Sequence, residues 1–342
     1  MQYLCKKKIQ KMDKIIGMGN ALVDILVRMS DDSLLEELGL PKGSMQLIGD
    51  EMLQKTRMKC ASLRSHRSTG GSAGNTICAL ANLGEKPGFI GKIGSDETGA
   101  FFYRAMRRHG IDAKLQKGEL PSGIASTFIS KDGERTFATY LGAAATLRAE
   151  DLSREMFAGY SYLYIEGYLL QDHDLILRAM QLAKEQDLQI CLDMASYNIV
   201  EEERDFFDML ITKYVDIVFA NESEARAYTG KEAEKALEEI ASKCSIAVVK
   251  TGRSGSLIKK GTEMVRVQPF PVKKVVDTTG AGDYYAAGFM YGLACGYALE
   301  KCAQVSSILA GYVIQVVGTQ LPKKKWDEIK LNIDAVLQGE RE

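Results

Sequence analysis

Short apolar runs alternate with longer amphipathic stretches along most of the chain. The β-rich runs lie at residues 14–19, 88–94, 162–167, 189–194, 215–220 and 246–252. Stretches between them, such as 75–84 and 174–186, show the spacing of apolar residues that is typical of helices. This alternation predicts an α/β fold with a central, mostly parallel sheet and helices on both faces. In such folds, ligands bind at the carboxyl ends of the strands.

Two regions interrupt the alternation, residues 25–56 and about 112–142. In the second, "ASTFIS" and "RTFATY" flank "KDGE", a pattern that predicts a β-hairpin with a glycine-containing turn. A hairpin inserted into a parallel α/β domain predicts a small β lid over the site. Because no linker or repeat interrupts the pattern, we expect a single domain over residues 12–342, preceded by a flexible tail at 1–11.

Composition excludes several classes of protein. The 44 basic and 45 acidic residues nearly cancel, which gives no electrostatic reason to expect nucleic acid or an anionic membrane as the partner. No run of about 18 apolar residues predicts a membrane span, and the basic N-terminus lacks the apolar segment of a signal peptide. The seven scattered cysteines favour reduced thiols and a cytoplasmic protein. The three histidines show no zinc-site spacing.

The stretch "DTTGAGDYYAAGF" at residues 277–289 is the first candidate for chemistry. A β-like run precedes it, and a helix is expected from about 281 to 297. The N–H groups of Gly280, Ala281 and Gly282 would lie at the positive end of that helix, where anions bind. Asp283 beside such an anion would suit a general base that takes a proton from an attacking hydroxyl. The alternative is an ordinary helix cap.

Two further motifs suit a ligand that is rich in hydroxyl groups. In "STGGSAGNTICALANLG" (68–84), Gly71 offers bare backbone and Asn75 an amide in the first turns of a helix. In "GMGNALVDI" (17–25), Asn20 and Asp24 follow the first strand, and one carboxylate can accept from two neighbouring hydroxyls. Turn and cap roles are the alternatives. The G-x-G of the second motif is weak evidence for a dinucleotide fold, since Leu22 replaces the third glycine.

Two motifs in the second half of the chain suit a nucleotide. Asn221 and Glu224 in "FANESEARAYTG" lie three residues apart, so both can face one side of a first helical turn. Such a pair could hold Mg²⁺-bound waters and phosphate, or it could cap the helix. "VVKTGRSGSLI" (248–258) predicts strand, open turn and strand, either as a nucleotide-contacting loop or as an ordinary hairpin.

In this order, the motifs resemble those of the ribokinase/PfkB family of ATP-dependent sugar and nucleoside kinases. The family's two signatures correspond to "TGGSAGNTICALANLG" and "DTTGAGDYYAAGFMYG", its N-x-x-E to "NESE" and its nucleotide loop to "KTGRSGS". The resemblance covers residues from about 13 to 335. It implies a ribokinase-like fold with a β lid. A non-catalytic binder that keeps the fold is the alternative, but both Asp283 and the Gly-Ala-Gly turn are present.

The resemblance also implies a role for each candidate residue. Asp283 would be the catalytic base, and Arg135 in the lid's "GERT" would reach the phosphates when the lid closes, unless it is a solvated hairpin charge. The γ-phosphate would be bound by Gly280, Ala281 and Gly282. The hydroxyls of the acceptor would be bound by Asn20, Asp24, Gly71 and Asn75. The ATP site would be lined by Asn221, Glu224, Thr251, Gly252 and Gly255.

The same resemblance implies cofactors and an assembly. ATP is the expected phosphoryl donor, with Mg²⁺ held by Asn221 and Glu224 through water. A monovalent cation such as K⁺ often assists members of the family. Lid edges sometimes pair across a homodimer in this family, whereas adenosine-kinase-like members can be monomers.

The acceptor is the least determined part of the prediction. "GNALVDI" and "LGAAATL" (141–147) resemble the adenosine-kinase-like branch. This resemblance predicts transfer of the γ-phosphate to the 5′-hydroxyl of a ribonucleoside, with adenosine as the first candidate. The alternative is a sugar kinase acting on ribose, fructose or a related sugar. Tyr284 and Tyr285 depart from the family, which often has a smaller residue followed by Phe. Their phenols would narrow the pocket or add a hydroxyl contact, so substrate preference is expected to depend on them.

Overall fold

The computed structural model describes residues 13–61, 63, 65–132 and 134–338. Within these residues, the larger sheet has nine strands. In spatial order they are β14 (Glu263–Val267), β13 (Ser256–Lys260), β12 (Ile246–Lys250), β11 (Ile217–Asn221), β10 (Gln189–Asp193), β9 (Tyr162–Glu166), β1 (Ile15–Met18), β5 (Gly88–Gly94) and β6 (Asp112–Gly118). All neighbours from β12 to β6 are parallel, and β13 and β14 add an antiparallel edge.

The centre of the larger sheet is buried on both faces, which explains the continuous apolar sequences of its central strands. All five residues of β9 are buried, and side chains alternate between two cores: Tyr164 lies in one, and Leu163 and Ile165 lie in the other. The first face is covered by α3 (Ser72–Leu83), α4 (Glu97–Arg108), α10 (Ala281–Ala294), α11 (Leu299–Val313) and α12 (Lys323–Gln338). The second face is covered by α5 (His173–Lys184), α6 (Tyr197–Glu202), α7 (Arg204–Lys213), α8 (Glu222–Thr229) and α9 (Ala233–Ala241).

A smaller sheet of five strands stands beside the larger one within the described residues. Its order is β3 (Met45–Leu47), β8 (Arg135–Tyr140), β7 (Gly123–Ile129), β2 (Leu22–Arg28) and β4 (Ser65–Gly70), and it packs with α1 (Ser33–Leu38) and α2 (Asp50–Cys60). β7 and β8 form the predicted antiparallel hairpin, although Gly133 in its turn lies outside the described residues. The smaller sheet is the element that we call the lid.

The lid differs in extent from the two segments expected to form it. Residues 112–118 form β6 at the edge of the larger sheet, paired with β5, and β4 belongs to the lid through its pairing with β2. The predicted tail at residues 1–11 lies outside the described residues.

Within the described part of the chain, no helix combines the length and apolar character that a bilayer crossing requires, and no disulfide joins the cysteines there.

Candidate active site

The start of α10 forms a turn of bare backbone at one edge of the larger sheet. Gly280 precedes the helix with a φ of +76°, and a Cβ there would collide with the methyl group of Thr319. The N–H of Ala281 donates to the carbonyl of Thr278 at 3.1 Å. Those of Gly280 and Gly282 have no acceptor within the described residues. Unpaired amides at a helix N-terminus attract anions, so two of the three predicted phosphate-binding amides are available.

Asp283 is held in a fixed orientation by the start of a second helix. Its Oδ1 accepts a hydrogen bond of 2.7 Å from the hydroxyl of Ser72, and its Oδ2 accepts one of 2.8 Å from Nδ2 of Asn75. Burial raises the pKa of Asp283 to about 6, although both hydrogen bonds favour the ionised form. An oriented carboxylate with a pKa near neutrality is suited to general base catalysis.

Asn75 is itself oriented by the loop at residues 317–322. The hydroxyl of Thr319 donates to Oδ1 of Asn75 at 3.0 Å, which turns the amide nitrogen towards Asp283. Asp277 fixes this loop by accepting from the N–H of Gly318 at 2.6 Å. The structure therefore places Asn75, which was predicted to hold the acceptor, in direct contact with the candidate base.

Asn20 is fixed by a buried carboxylate that sequence reasoning missed. Oε1 of Glu166 accepts from the backbone N–H and from Nδ2 of Asn20, at 2.9 and 2.8 Å. Its Oε2 accepts from the N–H of Ala73 at 2.8 Å. Burial raises the pKa of Glu166 to about 7. A charged residue ending the apolar strand "YLYIE" was the available signal. Gly71, with a φ of +82°, lies against the carbonyl of Asn20, where a side chain would collide.

Asp24 lies on β2 of the lid and faces the site. Its carboxylate packs against Gly70, where no side chain could fit. No hydrogen bond to it is found within the described residues, in contrast to Asp283. Burial, and then the negative charge of Asp283, raise the pKa of Asp24 to about 7. A carboxylate with free acceptor positions near the candidate base fits the prediction that Asp24 binds hydroxyl groups.

Arg135 joins the lid to the loop that leads into α10. Its guanidinium forms an ion pair with Asp277 and donates to the carbonyl of Val276 at 3.2 Å and to the hydroxyl of Thr279 at 3.3 Å. It is therefore a partly buried connector rather than a solvated hairpin charge. Its predicted contact with the phosphates stays a prediction.

Asn221 and Glu224 form a reciprocal cap at the start of α8. Oδ1 of Asn221 accepts from the N–H of Glu224 at 2.9 Å, and Oε2 of Glu224 accepts from the N–H of Asn221 at 2.7 Å. Burial raises the pKa of Glu224. Within the described residues, no group of three or more His, Cys, Asp or Glu side chains is arranged around a metal position. Mg²⁺ often binds one or two carboxylates and completes its shell with water and phosphate, and this sparse donor set fits such a mode.

The predicted nucleotide loop is a strand, a turn and a strand. β12 and β13 are antiparallel, and the N–H of Thr251 donates to the carbonyl of Gly255 at 2.8 Å across the turn. Gly252 and Gly255 have φ values of +53° and +92°, which explains the glycines. Asn221 pairs with Lys250 on the neighbouring strand, so the two motifs predicted to bind ATP lie side by side.

Tyr284 and Tyr285 do not offer their hydroxyls to a ligand. The phenol of Tyr284 donates to the carbonyl of Thr319 at 2.5 Å, and that of Tyr285 donates to the hydroxyl of Ser256 at 2.7 Å. The ring of Tyr284 stacks on Trp326 with centroids 5.8 Å apart. Because both side chains are buried and already bonded, the expectation that they determine substrate preference loses its support.

Known proteins resemble this chain over most of its length. The family model for the pfkB family carbohydrate kinases matches residues 45–326. The structure of adenosine kinase from Sinorhizobium meliloti is 35% identical, with a TM-score of 0.82, covering 94% of this chain and 99% of that one. Adenosine kinase 2 of Arabidopsis thaliana is 27% identical over 91% of this chain and 96% of its own. The 5-dehydro-2-deoxygluconokinase of Bacillus subtilis is 29% identical over 78% and 86%.

These matches confirm the predicted family and the ribokinase-like α/β fold. They leave the acceptor open, because the relatives' names cover both nucleosides and sugars. The chain belongs to the pfkB family of carbohydrate kinases and is an ATP-dependent phosphotransferase that acts on an alcohol group.

Proposed function

We propose that the protein transfers the γ-phosphate of ATP to the 5′-hydroxyl of a ribonucleoside, with adenosine as the first candidate. The observation that carries this proposal is the position of Asp283. It stands between Ser72 and Asn75, beside the unpaired amides of Gly280 and Gly282. A base and an anion-binding turn that meet at one point are what phosphoryl transfer to a hydroxyl requires.

Each residue has a defined part in the proposed reaction. Asp24 and Asn20 hold hydroxyls of the acceptor, and Asp283 removes the proton of the attacking hydroxyl. The oxygen of that hydroxyl bonds to the γ-phosphorus as the bond to ADP breaks. The amides of Gly280 and Gly282 stabilise the negative charge on the transferring group. Bound Mg²⁺ would neutralise part of the negative charge on the phosphates. Asn221 and Glu224 would hold it through water.

An exposed aromatic ring beside the site supports a nucleoside over a simple sugar. Tyr168 follows the carboxyl end of β9, and its side chain is 39% exposed. It lies two residues after Glu166, its hydroxyl donates to the carbonyl of Ala195 at 3.4 Å, and burial, then the carboxylates of Glu166 and Asp283, raise the pKa of its phenol. A flat, partly apolar face suits stacking on a nucleobase. The similarity to two adenosine kinases supports the same choice.

A sugar kinase is the second candidate, favoured by the similarity to 5-dehydro-2-deoxygluconokinase. Tyr168→Ala separates the two. If a nucleobase stacks on this ring, the variant should raise the KM for the nucleoside about 10-fold and leave the KM for ATP unchanged. A sugar lacks that base, so its KM should be insensitive to the change.

The acceptor can be identified with a panel of alcohols, ATP and Mg²⁺, with ADP formation as the readout. The panel contains adenosine, guanosine, inosine, ribose, fructose and 5-dehydro-2-deoxygluconate. We expect turnover with adenosine to exceed that with every sugar. Strong turnover of a sugar without turnover of any nucleoside would overturn the nucleoside proposal and favour the second candidate.

The acid limb of the pH profile should report the carboxylates of Asp283 and Asp24. Their raised pKa values, about 6 and about 7, mean that both take up protons as the pH falls from 7.5 to 5. A protonated Asp283 cannot act as a base, and a protonated Asp24 loses its charge. At saturating ATP, kcat/KM for the acceptor should therefore fall below about pH 7 and approach a two-proton slope below pH 6. A profile that stays flat down to pH 5 would contradict both assignments.

A further inference from the structure

A mostly buried lysine outside the predicted site residues stands at the carboxyl edge of the larger sheet. Lys250 is the last residue of β12, and its side chain is 15% exposed. Its Nζ lies 3.1 Å from Oδ2 of Asp193, the last residue of β10, whose side chain is 7% exposed. Since β11 separates these strands, Lys250 extends across the edge where the strands end.

The position of Lys250 relative to α10 points to a ligand. Its Nζ lies 3.2 Å from the point that a Cβ on Gly282 would occupy. The ammonium therefore flanks the first turn of α10, where the N–H groups of Gly280 and Gly282 are unpaired. A positive charge and two unpaired amide donors therefore lie at the same helical turn, which also carries Asp283.

The ion pair with Asp193 leaves donors of Lys250 unused. An ammonium group has three N–H donors, and Asp193 is the one hydrogen-bond acceptor found for it within the described residues. Burial alone would lower the pKa of Lys250, but Asp193 and Glu224 raise it, so the group stays charged at neutral pH. Lys is a frequent point-charge ligand of phosphate.

We propose that Lys250 binds the γ-phosphate of bound ATP beside the first turn of α10, while Asp193 anchors the ammonium. This inference rests on the proposed function, because it names a further residue of the same site. In the step, the acceptor oxygen bonds to the γ-phosphorus, the bond to the β,γ-bridging oxygen breaks, and its electron pair leaves on ADP. The proton of the acceptor passes to Asp283. Lys250 contributes charge and exchanges no proton.

Binding of two nucleotides that differ in the γ-phosphate tests this role without turnover. The non-hydrolysable ATP analogue AMPPNP and ADP are titrated, with Mg²⁺, into the full-length protein by calorimetry. Loss of one charge-assisted contact should weaken AMPPNP binding to Lys250→Met by about 10-fold or more, with ADP binding changed less than about threefold. The control Asp193→Asn breaks the same ion pair but keeps the ammonium, so it should retain the preference for AMPPNP.

The outcomes separate this inference from the proposed function. If Lys250→Met weakens the binding of AMPPNP and ADP equally, or leaves the preference for AMPPNP over ADP unchanged, Lys250 only neutralises Asp193. If Lys250→Met does not fold because Asp193 is left unpaired, the double variant Asp193→Asn/Lys250→Met removes both charges and gives the same readout. Wild-type protein that binds neither nucleotide would instead overturn the proposed function itself.

Discussion

Replacing Asp283 with asparagine is expected to lower kcat by at least about 100-fold, as loss of a general base does, while ATP still binds. The structure explains why the effect should be confined to chemistry. Asparagine has nearly the same shape, and its oxygen can accept from Asn75 as the carboxylate does. Its amide can donate to the hydroxyl of Ser72, which accepts as readily as it donates. What is lost is the ability to take a proton from the acceptor.

Ser72→Ala is the matched control for this variant. It removes one hydrogen bond to Asp283 but leaves the carboxylate, so kcat should fall less than about 10-fold. Because the bond from Ser72 favours ionised Asp283, its loss should also move the acid limb of the pH profile to higher pH. A near-normal kcat for Asp283→Asn, measured at saturating ATP and acceptor, would remove Asp283 from the role of base.

Replacing Asp24 with asparagine is expected to weaken binding of the phosphoryl acceptor and to stabilise the folded protein. Loss of charged hydrogen bonds to hydroxyls should raise the KM for the acceptor about 10- to 100-fold, with the KM for ATP within about twofold. The gain in stability follows from the raised pKa of Asp24. The folded state binds a proton on Asp24 more tightly than the unfolded chain does. The stability that this proton contributes is therefore complete below about pH 4 and is lost as the pH rises through about 7.

Thermal unfolding without ligands measures the second effect. At pH 7.5, Asp24→Asn should raise Tm by about 2 °C or more, and the difference should disappear near pH 4. Glu85→Gln is a matched control, because burial also raises the pKa of Glu85 to about 7, and its Oε1 is buried without a hydrogen-bond partner within the described residues. That variant should stabilise the protein and leave the acceptor KM unchanged. A lower Tm with a normal acceptor KM for Asp24→Asn would contradict the assignment.

Elements whose pattern reflects local burial were predictable from the sequence. The central strands of the larger sheet are apolar runs because both faces are covered, and β9 shows this over its whole length. The β7–β8 hairpin follows from two alternating runs around a turn. The start of α10 was predictable because its glycines and Asp283 are adjacent in the chain. These features need no knowledge of distant residues.

Elements that depend on distant partners were not predictable. β4 ("SHRSTG") is a polar strand that exists because β2 pairs with it, so no apolar alternation marks it. Thr319 orients Asn75 across 244 residues of sequence, and nothing local indicates this contact. Glu166 and Lys250 were visible as charges that end apolar strands, but the topology alone brings Glu166 to the start of α3 and Lys250 to the start of α10. The buried positions of Tyr284 and Tyr285 were not predictable either, because adjacency to Asp283 does not fix where a helical side chain points.

The most direct test of the account is detection of the phosphorylated acceptor by mass spectrometry. Adenosine, ATP and Mg²⁺ are incubated with the wild-type protein and, in parallel, with Asp283→Asn. The account predicts that the wild type converts adenosine to its 5′-monophosphate with an equal amount of ADP, and that the variant forms neither at a comparable rate. Formation of ADP without phosphorylation of adenosine, or equal product from both proteins, would contradict it.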